Sequence, residues 1–457
     1  MAKIKDRDFL GTDDMKSLLL RLSVPALIAM LSNALYNLID TIFVGRGVGT
    51  LAISSLSIVF PLQMIIGAFA LMFGVGAASI SSIELGKKDN EAASNAAAGG
   101  ITIAMIVAVL IMIISLSFID PILMALGASE ASLPMAREYA KIILCGLPFL
   151  SFAMVGNNLT RATGDAKTAM KSMLLGTITN IILDPIFIFG LHLGIKGAAY
   201  ATIIGQFLNC IYLLNYFFIK RHYALELHRR HFKLRAALVS KTIVLGTATF
   251  VRQLGTSAIA LVANNLLGAF SGDVAIASYG VINRLGTLFV LPIYGLNQGV
   301  QPIIGYNFGA GKTERIKEAL KISIKWALLL GLLGEVLLQL FPHQLISMFG
   351  DDPILISTAV PALRIYSAAL LFVGIQSLGA TYYQAVGRGV PSIILGLLRQ
   401  FILLVPLMFL LSGLLGASGI WLSFPISDLS SAVITGIFLI FAVKKLPPEQ
   451  ISVRNVE

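Results

Sequence analysis

Charge is the scarcest property of this sequence. Only 12% of its 457 residues are Asp, Glu, Lys or Arg, whereas 57% are hydrophobic and the mean hydropathy is +0.86. Soluble domains carry about 25% charged residues, so a water-soluble fold is excluded. Cysteine is also scarce: Cys145 and Cys210 lie in apolar stretches and offer neither a disulfide framework nor a metal-binding spacing. The charged N-terminus lacks cleavable-signal features, so we expect the first apolar segment to be retained.

Histidine is equally sparse, and this argues against an enzyme. The five histidines fall in predicted loops or at helix ends, and none pairs with a cysteine: His192, His222, His228, His231 and His343. A catalytic site would need a nucleophile beside a base, or a metal cluster. We therefore expect neither an enzyme nor a cofactor.

Long apolar runs dominate what remains. A bilayer-spanning helix needs ~20 mostly apolar residues, and these runs are too long and continuous for barrel strands. The predicted fold is an all-α integral membrane protein with twelve transmembrane helices in two six-helix lobes, 1–219 and 239–457. The predicted spans are 16–43, 50–80, 95–118, 134–160, 167–191, 194–219, 239–268, 273–304, 318–341, 356–385, 391–412 and 417–443.

The basic residues set the predicted orientation. Most of the 34 Lys and Arg residues fall in the N-terminal tail, the even-numbered loops or the C-terminal tail. Excess Lys and Arg mark cytoplasmic loops, so the net charge of +11 indicates a multi-pass inner-membrane protein rather than one that binds nucleic acid. Both termini are predicted to be cytoplasmic, with a basic linker at 220–238 between the lobes.

The chain is an internal duplication. A shift of 223 residues superimposes glycines of the two halves in order: Gly45 on Gly268, Gly76 on Gly299, Gly164 on Gly387 and, after one deletion, Gly194 on Gly416. Six crossings per half is an even number, so both halves enter the membrane from the same side. Parallel repeats of this kind are a transporter architecture.

Two acids belong to the first half alone, since Asp40 aligns with Ala263 and Asp184 with Pro406. A carboxylate at the centre of a spanning helix costs ~2.5–3.5 kcal/mol on insertion scales, so such residues mark function. Asp40 ends a polar face with Asn33, Tyr36 and Asn37, and Asn180 lies one turn before Asp184.

These residues predict a cation-coupling site made of Asp40, Asn180, Asp184 and Thr202. The spacing leaves open whether the acids bind a proton or Na⁺, because helix packing sets the distances. Pro25 and Pro185 each remove a helical hydrogen bond, and Pro25 is the candidate hinge. The predicted substrate cavity is lined by Tyr36, Asn33, Asn157, Met64, Met173 and Gln206.

The second half carries buried charges of both signs: Arg252, Arg284, Glu335, Arg399 and Asp428. Because basic and acidic groups coexist there, we expect ion-paired structural networks, and their role beyond packing stays open.

Several motifs resemble the multidrug and toxic compound extrusion (MATE) family over essentially the whole chain. They are YNLIDTIFVG at 36–45, GVGAA at 74–78, NIILDPIFIFG at 180–190, GAAYAT at 197–202, AIASYG at 275–280 and QPIIGYNFGAGK at 301–312. The likeness is to the MepA-type and DinF-type prokaryotic branch. The sequence departs from the NorM-type cation site of the second lobe, which uses acids on the seventh and tenth spans, because the seventh span offers Arg252 and Gln253 and the tenth offers Gln376.

The resemblance implies two lobes that form a V and alternate between inward and outward openings. It also implies drug efflux driven by inward flow of protons or sodium, with bending of the first helix at Pro25. The leading hypothesis is therefore an antiporter that exports amphipathic, mostly cationic molecules, acting as a monomer among membrane lipids. The alternative is a flippase for lipid-linked saccharides, which Arg252, Arg284 and Arg399 would suit.

Overall fold

The computed structural model describes residues 8–219, 225–350 and 352–448, with the side chains of 50 and 51 excepted. The predicted cytoplasmic tails 1–7 and 449–457, and residues 220–224 of the predicted linker, lie outside the described residues. The described chain is helical and contains no strand. Its first half contains α1 (Phe9–Thr12), α2 (Met15–Gly47), α3 (Thr50–Gly86), α4 (Asn90–Ser117), α5 (Ile119–Ala125), α6 (Leu133–Cys145), α7 (Leu147–Ala162), α8 (Ala166–Pro185) and α9 (Ile195–Leu214).

The second half follows the same order. It contains α10 (Ala236–Gly309), α11 (Thr313–Leu340), α12 (Pro342–Ser347), α13 (Pro353–Ser367), α14 (Val373–Ala385), α15 (Gly389–Leu397), α16 (Val405–Leu415) and α17 (Ala417–Lys444). Three π-helical segments, Ile186–Gly190, Asn215–Ile219 and Leu398–Leu404, continue α8, α9 and α15, and 3₁₀ turns cover Arg229–Phe232 and Leu370–Phe372.

The described helices account for the twelve predicted spans. Nine are long and apolar enough to cross a membrane, and two bent pairs, Leu133–Cys145 with Leu147–Ala162 and Pro353–Ser367 with Leu370–Ala385, add two more. One of the nine, α10, has 74 residues, about three bilayer thicknesses of helix, and it breaks at Gly272, where φ is +69°. Counted as two crossings, it completes the twelve, which confirms the predicted all-α membrane fold.

The helices depart from the predicted spans where hydropathy is uninformative. The fourth and tenth spans bend by 49° and 41° at Gly146 and at residues 368–369. Short helices α5 and α12 follow α4 and α11 and were not predicted, because each is shorter than a membrane crossing. Several helices also run beyond their apolar cores into polar residues, as α4 does at Asn90 and α3 at Gly86.

The duplication is visible in the backbone. Three pairs of glycines at equivalent positions of the repeat share an unusual positive φ, which a residue with a Cβ rarely adopts. The pairs are Gly49 (+106°) with Gly272 (+69°), Gly164 (+83°) with Gly387 (+77°), and Gly194 (+58°) with Gly416 (+60°). The turns between spans are therefore repeated as well as the spans.

The chain forms two compact units, one of Val24–Gly246 and one of Asp8–Ser23 with the chain from Thr247 onward. The division crosses α2 between Ser23 and Val24, one residue before Pro25. Residues 8–23 belong to the second unit through hydrogen bonds from Tyr306 to Asp8 (2.6 Å), Asn307 to Leu10 (2.9 Å) and Lys312 to Gly11 (2.8 Å). The lobes 1–219 and 239–457 are defined by membrane crossings and stay a prediction.

Small residues set the helix spacing in the first unit. A Cβ on Gly76 of α3 would overlap the carbonyl oxygen of Thr242, and one on Gly246 would overlap that of Met72. Without a hydrophobic drive between helices in lipid, such close approach supplies the packing energy. These contacts join α3 to the start of α10.

Candidate cation site in the first unit

The polar face of α2 leads to Asp40. Asn37 donates its side-chain amide to the carbonyl of Asn33 at 2.8 Å, and Thr41 donates its hydroxyl to the carbonyl of Asn37 at 2.8 Å. The Asn33 and Asn37 side chains are exposed, Tyr36 is half-buried and Asp40 is 8% exposed. The face therefore runs from an accessible end to a buried carboxyl group.

The end of α8 supplies the second carboxyl group. Asp184 is 0% exposed, and Asn180 lies one turn before it on the same face. Pro185 follows and cannot donate to the carbonyl of Ile181, and the helix continues as the π-helical segment Ile186–Gly190. π-Helical turns occur mostly as single insertions and frequently at functional sites.

Asn180 connects Asp184 to α9. In the amide orientation that satisfies both of its ends, Nδ2 donates to Asp184 Oδ2 at 3.1 Å. Its oxygen then accepts from the Thr202 backbone N–H at 3.1 Å and from the Thr202 hydroxyl at 3.2 Å. The amide therefore positions the carboxyl group and ties α8 to α9.

The carboxyl groups of Asp40 and Asp184 lie within hydrogen-bonding distance of each other. Asp40 Oδ1 is buried and has no hydrogen-bond partner among the described residues. Two ionised carboxylates in contact repel each other, and neither can donate a hydrogen bond. The pair therefore requires a proton between its oxygens or a bound cation.

Two tyrosines border the acids. The Tyr36 hydroxyl hydrogen-bonds with Thr202, and Tyr139 of α6, which is 3% exposed, hydrogen-bonds with Gln63 of α3. Both tyrosines lie close enough to feel the charges of Asp40 and Asp184. Tyr139 and Gln63 were missed in the sequence, where a lone tyrosine in the fourth span and a lone glutamine in the second gave no polar face.

The other predicted residues are more dispersed. Asn157 accepts a hydrogen bond from Ser172 at 2.6 Å, and Ser172 lies about 12 Å along α8 from Asn180. The Gln206 side-chain oxygen lies against Gly146 at the bend of the fourth span, and Met64 and Met173 are half-buried. Pro25 is buried inside α2. Within the described chain, no group of three or more His, Cys, Asp or Glu side chains could hold a metal.

The second unit pairs only part of its buried charge. Buried Asp428 forms an ion pair with Arg399, whose side chain is 18% exposed, and Glu335 accepts from the backbone N–H of Leu371 at 3.2 Å. Half-buried Arg252 and exposed Arg284 have no ion pair with the described residues. The expectation of ion-paired networks throughout was therefore wrong for these two arginines and for Glu335. Glu335 accepts from a backbone N–H and Arg284 is exposed to solvent, whereas Arg252 has no acidic partner among the described residues.

Comparison with known proteins agrees with this architecture. The MatE family pattern matches residues 25–186 and again 248–429, one match in each half of the duplication. The chain is 30% identical to the multidrug export protein MepA of Staphylococcus haemolyticus over 96% of each chain. It is also 30% identical to a FAD transporter of Shewanella oneidensis over 93% of this chain and 94% of that one.

Solved structures give the same result. A crystal structure of MATE in the bent conformation matches with a TM-score of 0.92 and 28% identity, and one in the straight conformation with 0.91 and 29%. Each match covers 97% of this chain and 99% of the other. The sequence motifs, the twelve duplicated spans and these matches agree, and the chain belongs to the MatE family of membrane transporters.

Proposed function

We propose that this protein is a secondary antiporter that exports amphipathic, mostly cationic organic compounds in exchange for an inward-moving cation. The observation that carries the proposal is the buried contact between Asp40 and Asp184, with one oxygen of Asp40 unpaired. The similarity to multidrug export proteins named MepA supports the export of drug-like compounds.

The coupling follows from the charge of the carboxyl pair. The pair is neutral or singly charged when loaded, and repulsive when both groups are ionised. A conformation that buries the pair favours the loaded form, whereas one that exposes it to water tolerates both charges. Loading therefore shifts the population between the two conformations, and every tenfold difference in cation affinity supplies ~1.4 kcal/mol of bias.

The hydrogen bonds of Asn180 favour a proton over Na⁺. Its nitrogen faces Asp184 while its oxygen is already occupied by two donors of Thr202. A sodium site built from Asp40, Asn180, Asp184 and Thr202 would need that oxygen to turn towards the ion, which would break both bonds to Thr202. Protonation requires no such change, so we propose H⁺ as the coupling ion.

The test is efflux of a cationic fluorescent dye from proteoliposomes, with a pH gradient and a sodium gradient imposed separately. We expect the pH gradient to drive transport and the sodium gradient to have no effect at constant pH. Transport driven by the sodium gradient alone would show that the coupling ion is Na⁺ and not H⁺. Dye movement indifferent to both gradients would reject the antiporter.

A specific observation favours a second candidate, the export of an anionic nucleotide cofactor. One relative is a FAD transporter, and half-buried Arg252 has no acidic partner among the described residues. An arginine of this kind suits a phosphate group. The test is uptake of FAD into inverted vesicles. Uptake that Arg252→Gln lowers and that a cationic dye does not inhibit would favour this candidate over drug export.

A further inference from the structure

A cavity of about 610 Å³, widely open to the outside, lies at one end of the first unit and shares no lining residue with the acid pair. Its lining comes from the starts of two spans, α4 and α10, and it contains charges of both signs. The lining residues are Asp89, Glu91, Ala92, Asn95, Arg235, Ala237, Leu238 and Lys241. We propose that this cavity binds the headgroup of a phospholipid with a primary amine, the chemistry of phosphatidylethanolamine, and this inference stands independently of the transported substrate.

The basic side provides the phosphate contacts. Arg235 directly precedes α10 and Lys241 lies within its second turn, so both project from one end of the helix. Both side chains are exposed and make no ion pair or hydrogen bond with the described residues. Two free cations beside one cavity suit a phosphodiester, which arginine can bind through two parallel hydrogen bonds.

The acidic side provides the ammonium contacts. Asp89 Oδ1 caps α4 by accepting from the N–H of Ala92 at 2.8 Å, which leaves its second oxygen available. Glu91 faces Arg230 at 3.5 Å, but both side chains are more than 60% exposed, so the pair is weak and can be shared. A simple anion would meet these carboxylates unfavourably, whereas a headgroup carrying both charges matches the whole lining.

The position of the cavity selects a lipid rather than a soluble compound. Asp89 and Arg235 flank the first residues of two membrane spans, where the headgroup layer lies. Ala237 and Leu238 form an apolar floor, and Ile243 and Val244, 37% and 38% exposed, continue the same helix towards the bilayer interior. An acyl chain can therefore follow α10 from a headgroup held in the cavity.

The segment before α10 is held by defined contacts, so the basic side of the cavity has a fixed structure. Phe232 stacks on Phe218 at the end of the sixth span, with ring centroids 6.2 Å apart and planes at 21°. The backbone N–H of His228 donates to Nδ1 of His231 at 3.2 Å. The turn Arg229–Phe232 also packs against α4, and together these contacts hold it in place and position Arg235.

Native mass spectrometry of the full chain tests the proposal. The purified protein is incubated with equal amounts of phosphatidylethanolamine, phosphatidylcholine and phosphatidylglycerol of identical acyl chains. We expect phosphatidylethanolamine to be retained in preference to both. Arg235→Gln and Lys241→Gln should each lower its retention about fivefold, since one cation near a lipid surface contributes ~1 kcal/mol.

Asp89→Asn tests the ammonium contact separately from the phosphate contact, because asparagine keeps the helix cap and removes the charge. We expect this variant to retain phosphatidylethanolamine and phosphatidylcholine equally. The matched control, Lys444→Gln with Lys445→Gln, removes two cations at the end of α17 and should change nothing. Thermal unfolding without added lipid checks that each variant is folded. If the double variant of Lys444 and Lys445 is not folded, either single substitution serves as the control.

Three results would overturn the proposal. Equal retention of phosphatidylethanolamine and phosphatidylcholine by the wild type would remove the ammonium site. An equal loss of lipid retention in the α17 control would show that retention depends on the overall positive charge and not on this cavity. Competition by soluble glycerophosphoethanolamine at concentrations equal to the lipid would identify a site for a soluble compound instead.

Discussion

The carboxyl group of Asp40 on α2 lies within hydrogen-bonding distance of that of Asp184 on α8. Neither side chain has a basic partner among the described residues, and Asn180 donates to Asp184 from the same helix. Two carboxyl groups in such contact bind and release protons as a unit, so each controls the charge of the other. A change at either position should therefore affect the coupling as a whole.

Neutralising either acid should abolish coupled transport. Asp40→Asn or Asp184→Asn leaves a single carboxyl group with an amide neighbour, so the repulsion that distinguishes the loaded from the unloaded pair disappears. We expect dye efflux in proteoliposomes under a pH gradient to fall to the level of protein-free vesicles. Membrane expression and thermal stability should be maintained, because a buried charge has been removed.

The matched control for the acids is Asp273→Asn, which neutralises an exposed acid beside the break in α10. It should transport like the wild type. Efflux unchanged in both Asp40→Asn and Asp184→Asn would show that the pair has no role in coupling.

The hydroxyl group of Thr202 should matter more than its size. Thr202→Val keeps the shape but removes the hydroxyl that contacts both Asn180 and Tyr36. Leaving buried partners unsatisfied costs ~1–3 kcal/mol, so we expect at least about a fivefold shift in the proton concentration that half-saturates transport. Thr202→Ser retains the hydroxyl and should shift it far less; equal shifts in the two variants would contradict this role.

Much of this fold could be predicted because lipid leaves few alternatives for the backbone. Apolar length predicts the twelve spans, and the repeat spacing of Gly164 and Gly194 predicts that their turns are duplicated. The bends at Gly146 and at residues 368–369 could not be predicted, because apolar composition continues across both. A broken helix and a straight one have the same hydropathy.

The acids of the site could be predicted because charge in a spanning helix is rare. Asp40, Asn180, Asp184 and Thr202 were identified before the structure brought them together. Tyr139 was not, since its approach to Asp40 depends on how α6 packs against α2. Asn157 was predicted to line the substrate cavity, and its hydrogen bond with Ser172 places its amide about two turns of α8 away from Asn180.

Removing one partner of the ion pair between Arg399 and Asp428 should destabilise the protein strongly, whereas replacing both partners by apolar residues should not. Asp428→Leu leaves Arg399 buried without its partner, and we expect a loss of about 3–5 kcal/mol in the free energy of unfolding. The double change Arg399→Met with Asp428→Leu removes both charges and should recover most of that loss. Denaturant unfolding of the detergent-solubilised protein measures both.

An exposed pair provides the control for Arg399 and Asp428. Lys317 and Glu314 lie 2.7 Å apart on the surface of α11, and Lys317→Met should cost less than about 1 kcal/mol. If Asp428→Leu is no more destabilising than Lys317→Met, the buried pair contributes little to stability.

Close helix packing in the first unit should depend on Gly246. A methyl group there would overlap the carbonyl oxygen of Met72, so α10 must move away from α3. We expect Gly246→Ala to destabilise the protein by about 1–3 kcal/mol, measured as a lower unfolding temperature. Gly280→Ala, where a Cβ would meet nothing within 4 Å, should leave that temperature unchanged or raise it. Equal effects at both glycines would exclude the steric explanation.

The turn before α10 should loosen in acid because of His231. Burial, and next the charge of Arg230, lower the pKa of the His231 imidazole below its ordinary value of 6.5, and His228 acts in the same direction. The charge of Glu91 and a hydrogen bond to the backbone of Glu226 raise this pKa, but their effect is smaller. The unfolded turn therefore binds more protons than the folded turn below pH ~6.5, and linkage requires its stability to fall as the pH falls through this value. The neutral ring can accept through only one nitrogen, and protonation would leave an N–H facing a donor at both, since Arg230 Nε and the His228 N–H each lie 3.2 Å from a ring nitrogen.

Hydrogen exchange over residues 226–233, corrected for the intrinsic effect of pH, measures this loosening. Protection should decrease between pH 7.5 and pH 5.5 in the wild type. In His231→Gln it should be the same at both values, because glutamine does not titrate, while peptides from α4 serve as the internal reference. Wild-type protection independent of pH, or a decrease that persists in His231→Gln, would assign the titration elsewhere. Since this turn positions Arg235, the same loosening should lower lipid retention at pH 5.5 in the wild type and not in the glutamine variant.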